Sequence, residues 1–305
     1  MPSLQSATCS WSGVLPAVTT QFDTGLQVDL AATRAVQSAL VEDGVHGLVV
    51  LGTCGENNSL TADEKRAVLR TAVEAVGGRV PIIAGVSELT TAAAAAFAGD
   101  AEKIGATALM LLPAMVYVPA PHELEFHFRS VAEATRLPIM LYNNPPAYRV
   151  SIDTDTLGRL ADVPNIVAVK ESAPDPRRFT DVVNAGGERF VLFAGLDYVV
   201  FEGITLGARG WISGLTNAFP RESLALHAAL QGGDLERARR IYRWFMPLLH
   251  LDAGHDLVQA IKLAEQIMGR GSERVRSPRL PLSGARREEV SRLVERAAAT
   301  RNQIA

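Results

Sequence analysis

The feature of this chain that most constrains its fold is a regular alternation of short apolar runs with amphipathic helical segments. The apolar runs are GVLPAVTT (13–20), GLVVLG (47–52), VPIIAGV (80–86), ALMLLP (108–113), PIMLYN (138–143), IVAVKE (166–171), FVLFAG (190–195) and GWISG (210–214). Between them lie segments whose apolar residues repeat with helical spacing. Because the runs are continuously apolar instead of alternating, they predict parallel strands that are covered on both faces.

Eight strand–helix units over about 220 residues predict a closed (β/α)₈ barrel, an α/β fold, and fit it better than an open sheet. One helical segment opens with a capping box, Thr61-x-x-Glu64, and ends at Gly77-Gly78. An open doubly wound sheet is the alternative. Against it, the chain has no G-x-G-x-x-G after its first strand and no G-x-x-x-x-G-K-[ST] anywhere.

After Gly214 the pattern changes, because helical segments follow one another and no further strand is predicted. We therefore divide the chain into a barrel, residues 1–224, and a C-terminal helical segment, residues 225–305. The helical segment is expected to pack on the barrel or against a neighbouring subunit.

Composition narrows the classes of function. The formal net charge is −3 and hydrophobic residues make up 48% of the 305 residues, which is typical of a globular protein with a large core. The sequence has no dense stripe of Lys and Arg of the kind that indicates nucleic-acid binding. The locally basic segment GRGSERVRSPR (269–279) is interpreted as a solvated linker, with a polyanion site as the alternative.

The cysteines and the apolar runs also indicate the cellular compartment of the protein. Two cysteines, Cys9 and Cys54, cannot form a disulfide framework and indicate a reducing compartment. The first residues lack the charged and apolar regions of a signal peptide. No apolar stretch reaches the roughly 18 residues that a membrane span requires. We expect a cytoplasmic protein without a membrane partner.

Lys170 occupies an unusual position for a lysine. The other lysines, Lys65, Lys103 and Lys262, lie in helical segments, and Lys262 is expected to extend its stem to water. Lys170 instead ends an apolar strand, where the C-terminal ends of barrel strands face the active-site mouth. An apolar setting favours a neutral, nucleophilic amine that forms a Schiff base with a carbonyl. A structural lysine paired with a carboxylate such as Glu171 is the alternative.

Two neighbouring strand ends add candidate groups. Tyr142, at the end of the fifth strand, is a candidate proton carrier facing Lys170, with a core tyrosine as the alternative. The turn GTCGEN after the second strand places Gly52 and Gly55 beside a hydroxyl and a thiol. Glycines let backbone N–H groups approach an anion, so this turn is a candidate carboxylate site, although such turns are common.

Together these motifs resemble the dihydrodipicolinate synthase/N-acetylneuraminate lyase superfamily. GTCGEN is similar to the family's GTTGE motif, LYNNPP to its YN-x-P motif and VAVKES to its Schiff-base lysine strand, in the same order and spacing. The resemblance covers nearly the whole chain. It implies that Lys170 forms the imine with a 2-oxo acid, typically pyruvate, without a metal or other cofactor. It also implies a homotetramer or homodimer.

The resemblance further implies roles for individual residues. Tyr142 is expected to move protons to and from the imine. Thr53 and the backbone around Cys54 are expected to hold the carboxylate of the 2-oxo acid, so that Thr53 serves both catalysis and binding. Gly195 and Ile212 occupy positions that line the pocket in relatives.

Three positions depart from the synthases of the family. Cys54 replaces the second threonine of GTTGE, which belongs to a proton relay there. The relay's tyrosine from the neighbouring subunit falls at Met115, with Tyr117 two residues further on. The carboxylate-binding arginine falls at Ala147, with Arg149 displaced by two. These departures favour a paralogue that acts on a different 2-oxo acid as an aldolase, a dehydratase or a deaminase, with true 4-hydroxy-tetrahydrodipicolinate synthase activity as the alternative.

Residues at the strand ends are candidates for selecting the distal part of that substrate, with surface or packing roles as the alternative. They are Tyr148, Arg149, Tyr117 and Asp197. Other functions have less support, because the six histidines lack metal-ligand spacing and G-x-S-x-G is absent. A phosphate-binding barrel that uses SGLTN after the eighth strand leaves Lys170 unexplained. A non-catalytic barrel that senses a ligand is the remaining alternative, and it has little need of a reactive amine.

Overall fold

Every predicted strand is present in the computed structural model of the protein, which describes residues 11–114 and 117–304. The strands are β1 Gly13–Pro16, β2 Leu48–Val50, β3 Ile82–Val86, β4 Ala108–Leu111, β5 Ile139–Asn143, β6 Ile166–Glu171, β7 Val191–Ala194 and β8 Gly210–Ser213. Neighbours pair in parallel in the order β1-β8-β7-β6-β5-β4-β3-β2. The bridge between Ala17 and Val49 joins β1 to β2, so the sheet forms the predicted (β/α)₈ barrel.

Helices surround this sheet and continue beyond it. They are α1 Leu30–Glu42, α2 Ala62–Val76, α3 Thr91–Ile104, α4 Pro121–Glu133, α5 Pro145–Tyr148, α6 Thr154–Leu160, α7 Arg177–Gly186, α8 Val200–Thr205, α9 Pro220–Gln231, α10 Leu235–Leu249, α11 Leu257–Ile267 and α12 Gly284–Thr300. The capping box of α2 is present, and Gly77 ends that helix with φ 58°. No helix of the described residues is long and apolar enough to cross a membrane.

The core has two layers, as a covered parallel sheet requires. One fills the barrel, where side chains such as Leu15, Met140 and Phe193 pack with Ile261 of α11. The other lies between the strands and the surrounding helices. Ile261 shows that the C-terminal helical segment contributes to the interior of the barrel. Residue 224, the predicted domain boundary, lies within α9, and the division at that point stays a prediction.

The interpretation of residues 269–279 as a solvated linker is wrong. Arg270 donates to the carbonyl of Asn217, and Arg276 donates to the carbonyls of Leu26 and Ser59. Val275 between them is buried. The arginines of this segment are therefore hydrogen-bonded to loops of the barrel. The segment, which lies between α11 and α12, is held against those loops.

Candidate active site

The C-terminal ends of the strands surround a small inner cavity, which collects most of the predicted site residues. Its volume is about 30 Å³, enough for one or two water molecules. The predicted residues on its wall are Thr53, Cys54, Tyr142, Lys170, Gly195 and Ile212. Asn144, Asp252 and Leu257 also line it and were not predicted. Asp252 and Leu257 come from the C-terminal helical segment, whose position over the barrel no local sequence pattern predicts.

Lys170 and Tyr142 are direct neighbours on adjacent strands. They are paired in the register of β5 and β6, and Lys170 Nζ lies 4.0 Å from the centroid of the Tyr142 ring. Lys170 is 5% exposed, and burial lowers the pKa of its ammonium group, while the carboxylate of Asp252 opposes that shift. The fraction of neutral amine at neutral pH is therefore larger than for a lysine in water.

Glu171 is not the partner of Lys170. Successive side chains of a strand point to opposite faces, and Glu171 accordingly lies outside the barrel wall. It accepts hydrogen bonds from Asn143 Nδ2 at 2.7 Å and from the backbone N–H of Ala173 at 2.8 Å, and it pairs with Arg178 at 3.2 Å. Among the described residues no ion pair to Lys170 is present, so the alternative of a salt-bridged structural lysine loses its proposed partner.

The phenols at the cavity are kept in their protonated form. Burial raises the pKa of Tyr142 above its usual value, and its oxygen accepts a hydrogen bond from Asn144 Nδ2 at 2.7 Å. The Tyr148 ring stands edge-on to it, with centroids 5.8 Å apart. The Tyr148 hydroxyl is hydrogen-bonded to Thr53 Oγ1. Tyr148, predicted as a selector of the distal substrate, therefore also orients the threonine of the predicted carboxylate site.

The turn that carries Thr53 and Cys54 has an unusual backbone. Leu51 and Glu56, which flank it, have φ 60° and 53°, values that non-glycine residues rarely adopt. Each such residue costs about 1–3 kcal/mol and persists only where surrounding contacts hold it in place. Asn57 Nδ2 donates to the carbonyl of Leu51 at 3.0 Å, and Thr20 Oγ1 donates to that of Gly55 at 2.7 Å. The turn is thus fixed from both sides.

A buried ion pair anchors the same turn from the C-terminal segment. Lys262 of α11 donates to Glu56 at 2.9 Å and to the carbonyl of Thr20 at 2.8 Å, and both charged side chains are 0% exposed. The expectation that Lys262 reaches water is therefore wrong. The other oxygen of Glu56 accepts from the backbone N–H of Arg276. Sequence spacing gave no sign of this pairing, because its partners lie more than 200 residues apart.

Asp197 lies within the barrel wall and lines neither the inner cavity nor the outer pocket, which supports the packing alternative for it. It is 0% exposed and accepts hydrogen bonds from Trp211 Nε1 at 2.9 Å and from the backbone N–H of Leu215 at 3.0 Å. Burial raises the pKa of its carboxyl. Burial likewise raises the pKa of the Cys54 thiol, which therefore stays protonated and is a weak hydrogen-bond donor.

An outer pocket of about 300 Å³ opens beyond the inner cavity, and Thr53 lines both. Its wall holds the predicted Tyr148 and Arg149, together with Ala147. It also holds four side chains that were not predicted, Asn57, Asn58, Ser87 and Arg279. Tyr117 is 57% exposed and does not line either pocket. Met115 lies outside the described residues.

Gly195 offers a direct test of how closely the cavity is built around Lys170. A Cβ at this position would overlap Ser172 Oγ and would lie 2.9 Å from Cε and Cγ of Lys170. We expect Gly195→Ala to displace the lysine and to slow its reaction with a carbonyl compound by roughly 100-fold or more, since small misplacements have such effects. Gly158→Ala is the control, because a Cβ added there on α6 would meet nothing within 4 Å. Equal rates for both variants in a carbonyl-trapping assay contradict this geometry.

Comparison with known proteins places the whole chain in one family. The model of the Dihydrodipicolinate synthetase family matches residues 10–297. A 4-hydroxy-tetrahydrodipicolinate synthase from Azoarcus sp. is 35% identical over 273 residues, covering 89% of this chain and 93% of the relative. One from Halalkalibacterium halodurans is 32% identical over 277 residues, covering 91% of this chain and 94% of the relative.

Solved structures agree with this assignment. The 4-hydroxy-tetrahydrodipicolinate synthase of Methylacidiphilum fumariolicum superimposes with a TM-score of 0.92 at 29% identity, covering 96% of this chain and 98% of that one. A prophage protein of the dihydrodipicolinic acid synthase family from E. coli K12, solved in complex with pyruvate, gives 0.89 at 27% identity, covering 95% and 99%. The chain therefore belongs to the dihydrodipicolinate synthetase family and is a Schiff-base-forming lyase.

Proposed function

We propose that the protein forms an imine between Lys170 and pyruvate or a related 2-oxo acid, and that it makes or breaks a bond at the carbon next to the imine. The observation that carries this proposal is the position of Lys170. It is a buried lysine with a lowered pKa and without an ion pair among the described residues, and it faces Tyr142 in the inner cavity. One relative was solved in complex with pyruvate.

Each neighbour of Lys170 has a role in this proposal. Thr53, oriented by Tyr148, and the backbone at Cys54 bind the carboxylate of the 2-oxo acid. Gly195 leaves room for the lysine stem, and Ile212 closes the apolar wall of the cavity. Tyr142 moves protons between the imine and the group that departs or attacks. The protonated imine withdraws electrons from the adjacent carbon, which is the electron sink that the reaction needs.

The outer pocket is the place for the rest of the substrate. Its volume of about 300 Å³ is ten times that of the inner cavity. Arg149 and Arg279 on its wall favour a chain that carries an anionic group, because guanidinium groups bind carboxylates through paired N–H donors. Cys54 and Ala147 stand where the synthases that this sequence resembles have a threonine and an arginine. We therefore propose a substrate other than that of the lysine-pathway synthase. That substrate is a longer 2-oxo acid, cleaved as an aldol or losing water or ammonia.

The experiment that tests the imine is reductive trapping. The protein is incubated with pyruvate, borohydride is added, and the intact mass and the peptides are measured. We expect an added mass that maps to the peptide containing Lys170. A panel of 2-oxo acids that leaves the protein unmodified contradicts the proposal and favours a barrel that only binds its ligand. The alternative of synthase activity is tested by turnover of pyruvate with the synthase's aldehyde substrate.

We also propose that the protein acts in the cytoplasm as a homotetramer or homodimer. This proposal rests on family membership, and one relative in the family is described as a monomeric variant. Sedimentation velocity at several protein concentrations distinguishes these states, and a monomer at all of them contradicts the proposal.

A further inference from the structure

Asp252 lies on the wall of the inner cavity and has no part in the proposed reaction as described so far. It lies in a short 3₁₀ turn, His250–Ala253, between α10 and α11, and it lines the cavity together with Lys170 and Tyr142. A Cβ on Gly214 at the end of β8 would lie 2.8 Å from Asp252 Oδ1 and 3.3 Å from Cys54 Sγ. The absence of a side chain at Gly214 therefore lets this carboxylate reach the end of the barrel.

Asp252 differs from its neighbour Asp197 in having no side-chain partner. Both oxygens of Asp197 accept hydrogen bonds, from Trp211 and from Leu215. Within residues 11–114 and 117–304, no basic side chain forms an ion pair with Asp252 and no side chain donates a hydrogen bond to it; its one partner there is the backbone N–H of Asp197. A polar group without such partners at the wall of a reactive cavity is available to a substrate.

The protonation states of the facing groups are suited to the first step of imine formation. Burial and the nearby Asp197 raise the pKa of Asp252, whereas burial lowers the pKa of Lys170. Burial thus favours the uncharged forms of both groups, the carboxylic acid and the amine, while the attraction between their charged forms opposes this. The phenols and the thiol near this pair have raised pKa values and are much weaker acids than a carboxyl; they are Tyr142, Tyr148, Tyr198 and Cys54.

We infer that Asp252 is the acid that drives water loss when Lys170 forms its imine. The neutral amine adds to the carbonyl carbon, and proton transfer from nitrogen to oxygen gives a neutral carbinolamine. The carboxyl of Asp252 then gives its proton to the carbinolamine hydroxyl. The C–O bond breaks, water leaves, and the nitrogen lone pair forms the C=N bond. The products are an iminium ion on Lys170, one water molecule and the Asp252 carboxylate, which neutralises the iminium charge.

The geometry of Tyr142 supports this division of roles. The face of its ring, not its hydroxyl, lies against Lys170 Nζ, and the phenol oxygen already accepts a hydrogen bond from Asn144. Cys54 stands where the family's relay has a hydroxyl, and its thiol is a poor donor. Asp252 therefore supplies an acid at a site whose relay is incomplete, and Tyr142 remains for the later proton transfers at carbon.

The test follows the rate at which the pyruvate adduct forms, by quenching with borohydride at increasing times. This inference rests on the proposed function, so the wild-type protein must first give the adduct. We expect Asp252→Asn to form it roughly 100-fold or more slowly, as for loss of a general acid. Asp256→Asn is the matched control, because Asp256 lies four residues on and pairs with Arg286 outside the cavity. It is expected to keep the wild-type rate.

A second variant separates acid catalysis from a structural effect. In Asp252→Ala the missing carboxyl leaves space, and added formate is expected to restore part of the rate in proportion to its acid form. A merely structural role predicts no such rescue. A wild-type rate in Asp252→Asn, or a slow Asp252→Ala that formate does not accelerate, overturns the inference. A wild-type protein that gives no adduct with any 2-oxo acid overturns the proposed function instead.

Discussion

Replacing Lys170 with arginine is expected to abolish the pyruvate adduct and to lower turnover by several orders of magnitude, as loss of a catalytic nucleophile does. Arginine keeps a positive charge and similar length, but its guanidinium stays protonated at any pH that proteins tolerate. It therefore cannot add to a carbonyl. Reductive trapping and steady-state turnover measure the two effects.

Two further variants make this experiment decisive. Lys103→Arg makes the same chemical change at a lysine whose side chain is 80% exposed, and it should leave the adduct and the turnover unchanged. Lys170→Met keeps most of the volume without a charge, so it shows whether loss of reaction follows from loss of the amine and not from a buried charge. An adduct of normal mass in Lys170→Met means that the reacting lysine is a different one.

The largest effect on stability is expected for Lys262→Met. This change leaves the carboxylate of Glu56 buried without its cation, and breaking a buried pair in this way costs about 3–5 kcal/mol in free energy of unfolding. The hydrogen bond to the carbonyl of Thr20 is lost as well. Unfolding in urea, followed by circular dichroism, measures the change.

The double variant Glu56→Gln/Lys262→Met tests the physical reason. With both charges removed, no unpaired ion remains at this site, so we expect the double variant to be more stable than Lys262→Met alone. The amide that replaces the Glu56 carboxylate still offers an oxygen to the backbone N–H of Arg276, so the turn keeps that contact. If the double variant is instead no more stable than Lys262→Met, the ion pair does not explain the stability of the turn.

The repeating part of the fold could be predicted from sequence because its causes are local. Each strand of a covered parallel sheet is a short apolar run, and the capping box of α2 needs two residues three positions apart, Thr61 and Glu64. The residues on the inner cavity wall follow from the same rule, since Lys170 and Tyr142 end adjacent strands. Position at a strand end was enough to bring them together.

What could not be predicted depends on contacts between distant parts of the chain. Lys262 has the spacing of a helix residue at an interface, and only its packing against Glu56 shows that it is buried. Asp252 and Arg279 enter the two pockets from the C-terminal segment, whose placement over the barrel no local pattern encodes. The place of Asp197 after β7 predicts a substrate contact, but its carboxylate accepts a hydrogen bond from the indole of Trp211 within the wall.

The closure of the barrel between β1 and β2 has a consequence for how the molecule opens. At this joint Ala17 bridges to Val49, and the backbone N–H groups of Val18 and His46 donate to the carbonyls of Val49 and Val14. By contrast, β5 and β6 pair along five positions. Local opening favours the parts of a structure with the fewest hydrogen bonds. Lys262 binds the carbonyl of Thr20, just beyond this joint, and Thr20 in turn binds Gly55. The C-terminal segment thus holds the chain after β1 to the turn after β2, and its separation from the barrel is expected to weaken the joint between these two strands.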